Sequence, residues 1–108
     1  MKTTFGEYLR KLRTEKGLTL TQLAAQVDLD SANLSKIENN KRDFDEKRLF
    51  RLAEVLEIDL QKLKSEYYSD LIAHKIYETK CPDEILILAE EKIKYLKQIN
   101  TKQIDIKF

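Results

Sequence analysis

The chain carries its strongest structural pattern between Leu18 and Arg42, in the stretch LTLTQLAAQVDLDSANLSKIENNKR. Apolar residues recur there at spacings of three and four in two short runs, as they do on the buried face of a helix. The members of the two runs are Leu20, Leu23, Ala24 and Val27, followed by Leu34 and Ile37. Between the runs, Asp28 tolerates the left-handed backbone that ends a helix, and Asp30 or Ser31 can cap the next one. The stretch therefore predicts a helix-turn-helix motif.

The second helix of this motif has an outer face of small or hydrogen-bonding side chains. They are Ser31, Ala32, Asn33, Ser35 and Lys36. Such a face suits a helix that lies in a DNA major groove and contacts base edges. The loop that follows is polar and cationic, which suits contact with phosphate oxygens. Its residues are Asn39, Asn40, Lys41 and Arg42, of which Asn40 can adopt the left-handed turn that usually requires glycine.

The stretch resembles the bacterial and phage repressor helix-turn-helix family, the XRE or Cro/CI type, with similarity from Phe5 to Leu63. The matching positions are Leu18-Thr19, Leu23-Ala24, Leu29, Leu34-Ser35, Ile37-Glu38 and Arg42. The resemblance implies an all-α fold with a five-helix, lambda-repressor-like DNA-binding domain. It also implies that Arg13, near the end of the first helix, forms an ion pair with Glu38 at the end of the recognition helix.

Two positions depart from the family pattern. Many relatives have a glutamine that touches phosphate at the start of the first motif helix, where this chain has Leu20. We expect Thr19, Thr21 or Gln22 to supply that contact. A glycine in the turn is replaced by Asp28, which tolerates the same backbone conformation.

The composition favours helices, and its apolar content is enough for the core of one domain. Of 108 residues, 42% are hydrophobic and 36% are charged, and only two glycines and one proline are available for turns. The net charge of +1 argues against a protein that simply coats nucleic acid. Any DNA binding must therefore come from a local arrangement of cations.

The flanking helices can be placed from their end signals. Thr3 or Thr4 can cap a first helix that ends at Gly17, and Asp45 can cap a fourth helix that runs to about Glu57. Phe44 is either a core anchor or a loop aromatic beside DNA. Its place before the cap favours a hydrophobic staple.

The last third of the chain extends beyond the minimal family domain. Residues 1–64 are predicted to form the DNA-binding domain, and residues 65–108 a C-terminal helical extension. No turn signal interrupts the fifth helix before Thr79, and Pro82 marks the start of another helix to about Gln98, with Cys81 at its cap position. The pattern predicts a helical hairpin.

The hairpin carries more apolar surface than one small domain can cover. It either folds back over its own domain or forms a dimer, and we favour the dimer. The predicted interface residues are Tyr67, Leu71, Ile72, Leu88, Ile93, Leu96 and Ile99. The tail from Gln103 to Phe108 alternates polar and apolar residues, which leaves both a strand across a two-fold axis and a disordered end open.

Enzyme chemistry has little support in the sequence. The one histidine, His74, lies in a helical stripe, and the one cysteine, Cys81, has no activating partner and precedes a proline. There is no glycine-rich phosphate loop and no Cys/His cluster with metal spacing, so we expect no catalytic site, cofactor or metal. The charged N-terminus is unlike a signal peptide, and no stretch reaches the ~20 apolar residues of a membrane span. We therefore expect a cytoplasmic protein.

Three functional hypotheses follow, in order of preference. The first is a sequence-specific transcriptional regulator, a repressor or autoregulator, that binds an inverted-repeat operator in double-stranded DNA as a homodimer. The second is an antitoxin-type interaction module that neutralises a partner protein and binds DNA secondarily. The third and weakest is an enzyme with an appended DNA-reading domain.

Overall fold

The computed structural model describes the backbone of residues 3–107 and the side chains of residues 3–100. All regular structure in that range is helical, which confirms the predicted all-α fold class. The helices are α1 (Phe5–Glu15), α2 (Leu20–Gln26), α3 (Ser31–Glu38), α4 (Leu49–Leu56), α5 (Leu60–Thr79) and α6 (Glu84–Lys107), with a 3₁₀ turn (Glu46–Arg48) before α4. The chain forms two compact units, Met1–His74 and Lys75–Phe108. Their boundary lies within α5, whereas the sequence predicts it at residues 64 and 65.

The ends of α1 follow from its flanking residues. The Thr4 side chain accepts a hydrogen bond from the Glu7 backbone at 3.2 Å, and the Glu7 carboxylate accepts one from the Thr4 backbone at 3.0 Å. These bonds form a capping box. The hydrogen bonds that the Glu7 carboxylate accepts from the Thr4 backbone and hydroxyl lower the pKa of the Glu7 carboxyl. At the other end, Gly17 has a φ of 73°, a left-handed conformation that glycine adopts without steric cost. Both predicted end signals are confirmed.

The first unit packs α1 to α5 around one apolar core. Its buried residues are Phe5, Leu9, Leu23, Ala24, Val27, Leu34, Ile37, Phe44, Leu49, Leu52, Ala53, Leu56, Leu63 and Tyr67. Phe44 is 2% exposed, so it is the core anchor that its place before Asp45 favours and not an aromatic on the protein surface. The Asp45 side chain caps the 3₁₀ turn by accepting a hydrogen bond from the Lys47 backbone at 3.0 Å.

Tyr67 lies in the core, which corrects its assignment to the subunit interface. Its hydroxyl donates a hydrogen bond of 2.7 Å to the Phe44 carbonyl, and its ring meets that of Phe5 edge to face, with centroids 5.3 Å apart. Burial raises the pKa of the Tyr67 hydroxyl. Helical periodicity placed Tyr67 on an apolar stripe of α5 but could not show that this stripe is already covered.

Gly6 allows α1 to approach the end of α3 closely. A Cβ at this position would overlap the Ile37 carbonyl oxygen and lie 2.9 Å from the Glu38 carbonyl oxygen. Because both neighbours are backbone atoms, α1 and α3 would have to separate to admit a methyl group. Sequence reasoning missed this role.

We expect Gly6→Ala to lower the free energy of unfolding by about 1–3 kcal/mol, because overpacking outweighs the better helix propensity of alanine. Urea denaturation monitored by circular dichroism measures this. Lys11→Ala, at an exposed position of the same helix, is the control and should stay within about 0.5 kcal/mol of wild type. An unchanged or raised stability of Gly6→Ala would mean that the two helices separate at no cost.

The second unit consists mainly of α6, whose start and end differ from the prediction. Pro82 precedes α6 and accepts a hydrogen bond from the Ile85 backbone at 3.1 Å, so the first full turn begins at Glu84. The helix continues to Lys107, past the predicted end at Gln98. The tail through Lys107 is therefore helical rather than a strand or a disordered end, because no glycine or proline interrupts it. Phe108 lies outside the described residues.

Candidate nucleic-acid interface

Helices α2 and α3 form the helix-turn-helix motif, and a side chain caps the N-terminus of each. Thr19 and Gln22 form a capping box at the start of α2, with hydrogen bonds of 2.9 and 3.1 Å. Asp28 in the turn has a φ of 59°, as predicted for the residue that ends α2. Asp30 caps α3 by accepting a hydrogen bond from the Asn33 backbone at 2.7 Å.

Helix α3 presents two different faces. Its buried side is formed by Leu34, Ile37 and Glu38. The residues predicted to face base edges lie elsewhere on the helix: Ser31, Ala32 and Lys36 are exposed, and Asn33 and Ser35 are half-buried. The fold thus leaves a polar, hydrogen-bonding side of α3 accessible to a partner.

Glu38 and Arg13, which the family resemblance pairs, form a bidentate ion pair. The Glu38 side chain is 1% exposed, and its Oε2 and Oε1 accept hydrogen bonds from Arg13 Nε at 2.7 Å and Nη2 at 3.0 Å. Arg13 Nη1 also donates to the Leu18 carbonyl at 2.8 Å. The hydrogen bonds to Glu38 raise the pKa of Arg13. One guanidinium therefore joins α1, α3 and the chain entering α2.

A second arginine, Arg10, reaches the same carboxylate. Its Nε donates to Glu38 Oε1 at 3.3 Å, and its Nη2 donates to Asn39 Oδ1 at 2.7 Å. Asn39 in turn donates from Nδ2 to the Ser35 carbonyl at 2.9 Å. Asn39, predicted to touch phosphate, is thus tied to α1 and α3. Sequence reasoning missed Arg10 because nothing local to α1 marks it.

The loop after α3 begins with a left-handed turn. Asn40 has a φ of 64°, and the Lys41 backbone donates to the Lys36 carbonyl at 2.8 Å, which satisfies one of the last carbonyls of α3. Lys41 and Arg42 are both exposed. Arg42 turns back over α3, where its Nη1 donates to Asn33 Oδ1 at 3.0 Å.

Three residues at the start of α2 are predicted to contact phosphate, and they differ in whether their side chains are already hydrogen-bonded. Thr19 and Gln22 use their side-chain oxygens within the capping box. Thr21 is exposed on the first turn of α2. Leu20, which replaces the family glutamine, packs against the core instead of standing in solvent.

Two further arginines hold the end of α2. Arg48 donates from Nε to the Val27 carbonyl at 3.0 Å and pairs through Nη1 with Asp45 Oδ2 at 2.6 Å. Arg51 Nε donates to the Gln26 carbonyl at 3.0 Å. Cations at a helix C-terminus satisfy its free carbonyls and interact well with its dipole. No local pattern predicted these contacts, because Arg48 and Arg51 are distant from α2 in sequence.

The residues predicted for subunit contact lie on two helices, α5 and α6. Leu71 is half-buried against the core of the first unit, and Ile72 on the same helix is 57% exposed. On α6, Leu88, Ile93 and Leu96 are exposed and Ile99 is half-buried. The apolar side chains of α6 that the structure describes, up to residue 100, are thus largely in contact with solvent in the single chain.

The described part of the chain contains no group of three or more His, Cys, Asp or Glu side chains arranged to hold a metal ion. His74 Nδ1 lies 3.8 Å from Asp70 Oδ2 on the same helix. Cys81 is a free thiol whose Sγ lies 3.0 Å from Thr79 Oγ1. Among the described residues, no helix is long and apolar enough to cross a membrane.

Comparisons with known proteins agree with this architecture. The family model HTH_3, described as helix-turn-helix, matches residues 9–63. RghR, an HTH-type transcriptional repressor of Bacillus subtilis, is 34% identical over 116 aligned positions that cover 94% of this chain and 86% of RghR.

Solved structures show the same similarity over somewhat more than half of the chain. The restriction-modification controller protein C.AhdI of Aeromonas hydrophila is 36% identical, with a TM-score of 0.51 over 55% of this chain and 89% of C.AhdI. SinR, a master regulator of biofilm formation solved in complex with DNA, is 28% identical, with a TM-score of 0.51 over 56% of this chain and 97% of SinR. The chain therefore belongs to the helix-turn-helix family of the XRE type, whose members are DNA-binding transcriptional regulators.

Proposed function

We propose that the protein is a sequence-specific transcriptional repressor that binds an inverted-repeat operator as a homodimer. The observation that carries the proposal is the outer side of α3, which is exposed and polar while its other side is fixed in the core by the Arg13 and Glu38 pair. The relatives support it, since RghR is named as a repressor and SinR was solved on DNA. We place its action in the cytoplasm, where a bacterial operator lies.

In this proposal α3 enters the major groove. Exposed hydroxyls, an amide and an ammonium group then reach base edges, which carry a distinct pattern of donors and acceptors for each base pair. The proposed base-facing residues are Ser31, Ala32, Asn33, Ser35 and Lys36. Phosphate contacts are assigned to the exposed Thr21 at the start of α2 and to the loop after α3, where Lys41 is exposed.

Subunit pairing is proposed to use α6. At 100° per residue, its apolar positions from Ile85 to Ile99, apart from Ile87, form a stripe over about half of the helix circumference. This stripe is wider than one neighbouring helix covers. Five side chains of this stripe are exposed in the single chain: Leu86, Leu88, Ile93, Tyr95 and Leu96. A second copy supplies the matching surface, and its two-fold symmetry sets two recognition helices about 34 Å apart, on successive major grooves.

The exposed face of α6 also fits the alternative that the protein binds a different protein partner and DNA secondarily. The homodimer and the different protein partner are distinguished by which protein covers the exposed face of α6. Size-exclusion chromatography with light scattering on the purified chain distinguishes them, because a homodimer has twice the mass of the chain without any other protein present.

Lys41 and Lys36 provide a test of the DNA interface. We expect Lys41→Ala to weaken binding to all duplexes and to reduce the slope of log affinity against log salt concentration by about one unit. We expect Lys36→Ala to relax the preference at particular base pairs, at a cost of about 1–3 kcal/mol on the preferred sequence. Fluorescence anisotropy on selected and scrambled duplexes, over a range of salt concentrations, measures both.

The two lysines are matched because both are exposed and neither is part of an ion pair that holds the fold together. Equal losses on selected and scrambled DNA for Lys36→Ala would remove it from base reading. Protection of the DNA upstream of the protein's own reading frame would identify it as an autoregulator.

A further inference from the structure

Arg42 lies over the residues proposed to face bases rather than extending away from them. Its Nη1 donates a 3.0 Å hydrogen bond to Asn33 Oδ1, although the two residues are on different sides of the turn that ends α3. Arg42 itself remains exposed. Its guanidinium therefore lies beside the outer face of α3, within reach of the same groove.

Asn33 is held at both ends of its amide. Its backbone N–H and its Nδ2 donate to the two carboxylate oxygens of Asp30, at 2.7 and 3.0 Å, while its Oδ1 accepts from Arg42. An asparagine that reads adenine needs both its amide donor and its acceptor for the base. In this structure one amide N–H is bonded to Asp30 and the amide oxygen accepts from Arg42, so the Asn33 amide orients the guanidinium.

A guanidinium has five N–H donors in a plane, of which Asn33 receives one. The donors that remain match the O6 and N7 acceptors of guanine in the major groove, where arginine makes the commonest specific contact. Arginine also forms planar contacts with phosphate, so what favours a base here is that the guanidinium lies beside the exposed side of α3. The hydrogen bond to the neutral Asn33 amide holds the Arg42 guanidinium in one orientation, which favours a planar contact with a base.

We propose that Arg42 reads a guanine in each half-site, with Asn33 as the positioning residue for its guanidinium and Asp30 as the residue that fixes Asn33. This inference rests on the proposed function and sharpens it. It changes the role of Arg42 from a phosphate contact to a specificity determinant outside the recognition helix. It also changes the role of Asn33 from a direct base contact to a support.

Selection from a randomised duplex library tests the proposal. Wild type is expected to select one guanine per half-site whose preference disappears with Arg42→Lys, which keeps the charge and loses the planar fork. The loss of discrimination at that base pair should be about 5- to 150-fold, while the salt dependence stays unchanged. Lys41→Ala is the matched control, because it should select the same sequence with uniformly lower affinity.

Replacing the selected guanine by 7-deazaguanine removes the N7 acceptor and leaves the base pair intact. Wild type should lose affinity for this duplex by about fivefold or more, whereas Arg42→Lys should be nearly insensitive to the change. Equal sensitivity of the two proteins would show that Arg42 does not contact that base.

The positioning role has its own readout. Asn33→Ala should relax preference at the same base pair as Arg42→Lys, because Asn33 acts through the arginine. Asp30→Asn keeps an oxygen to cap α3 but replaces one acceptor by a donor, so it should weaken the same preference without loss of helical signal. Relaxation at a different base pair for Asn33→Ala would make Asn33 a reader in its own right and would overturn its positioning role.

The outcomes separate this inference from the proposed function. Binding by wild type to random duplexes without any selected sequence would refute both. A clear selected sequence that Arg42→Lys leaves unaltered, with Arg42→Ala weakening all duplexes equally, would overturn the inference alone and return Arg42 to the phosphate backbone.

Discussion

The substitution Arg13→Ala is expected to lower the free energy of unfolding by about 3–5 kcal/mol, because it leaves the buried Glu38 carboxylate without its bidentate partner. Arg10 remains 3.3 Å from Oε1 but is half exposed, and it does not reach Oε2. Small domains are stable by only about 5–15 kcal/mol, so this loss is a large fraction of the total. Urea denaturation at pH 7 measures it.

The same pair permits a double-mutant cycle. Glu38→Gln keeps the shape and removes the charge, and the double variant Arg13→Ala with Glu38→Gln should recover part of the loss, because no unpaired charge stays buried. Lys11→Ala, an exposed change on the same helix, should lie within about 0.5 kcal/mol of wild type. Independence of the two single changes within about 0.3–0.5 kcal/mol would mean that the pair adds nothing beyond its separate residues.

The second large effect is expected from charges on α6. Leu88→Glu combined with Leu96→Glu should convert the proposed dimer into a monomer, because two carboxylates would be buried without partners in a small interface. Operator affinity should then fall by about 10²- to 10⁴-fold, since linked half-sites bind through effective concentration. Sedimentation equilibrium and anisotropy on the full inverted repeat measure the two effects.

Ile87→Glu is the matched control for this experiment. Ile87 is 64% exposed and adjacent to Leu88, but at 100° per residue it falls among charged residues, near Glu91 and Lys94. This variant should remain dimeric and keep its operator affinity. A dimer that persists with both leucines replaced would place the interface elsewhere. A wild-type monomer at micromolar concentration would contradict the homodimer and favour a different protein partner.

The sequence predicts the parts of this fold that depend on local patterns. End signals narrow each of two caps to a pair of residues, of which the structure uses Thr4 and Asp30. The left-handed residues Asp28 and Asn40 and the long α5 follow from residue type and the lack of helix breakers. The resemblance adds one distant contact, between Arg13 and Glu38, which the structure contains. Each of these features is readable because the residues that specify it are adjacent or belong to a recurring motif.

The features that the sequence could not predict depend on tertiary neighbours. Gly6 does not lie in a turn, where a glycine would be recognised from the sequence. Its role is to let α1 approach the backbone at the end of α3. Arg48 and Arg51 bind carbonyls of a helix that lies far from them in sequence. Tyr67 occupies an apolar stripe that suits an interface equally well, and only the position of Phe44 shows that this stripe is buried.

The candidate DNA interface was predictable as a set of residues but not as a network. Periodicity placed Asn33 on the outer side of α3 and charge placed Arg42 in the loop. Their hydrogen bond depends on how the turn at Asn40 redirects the chain, which side-chain types do not specify. For the same reason the sequence does not show that Asn39, a predicted phosphate contact, accepts a hydrogen bond from Arg10.

Divergence of duplicated genes for this protein would act differently on the two sides of α3. Leu34, Ile37 and Glu38 are buried, so most changes there reduce the amount of folded protein. Ser31, Ala32 and Lys36 are exposed, and substitutions at such positions usually alter stability by less than about 0.5 kcal/mol. Under the proposed function, a copy can therefore acquire a new operator, and stop competing with its parent, through a few changes at these exposed positions. Asp30, Asn33 and Arg42 are the exception, because hydrogen bonds join their side chains. We expect a change at one of the three to alter the orientation of the other two, so that new specificities there require paired changes.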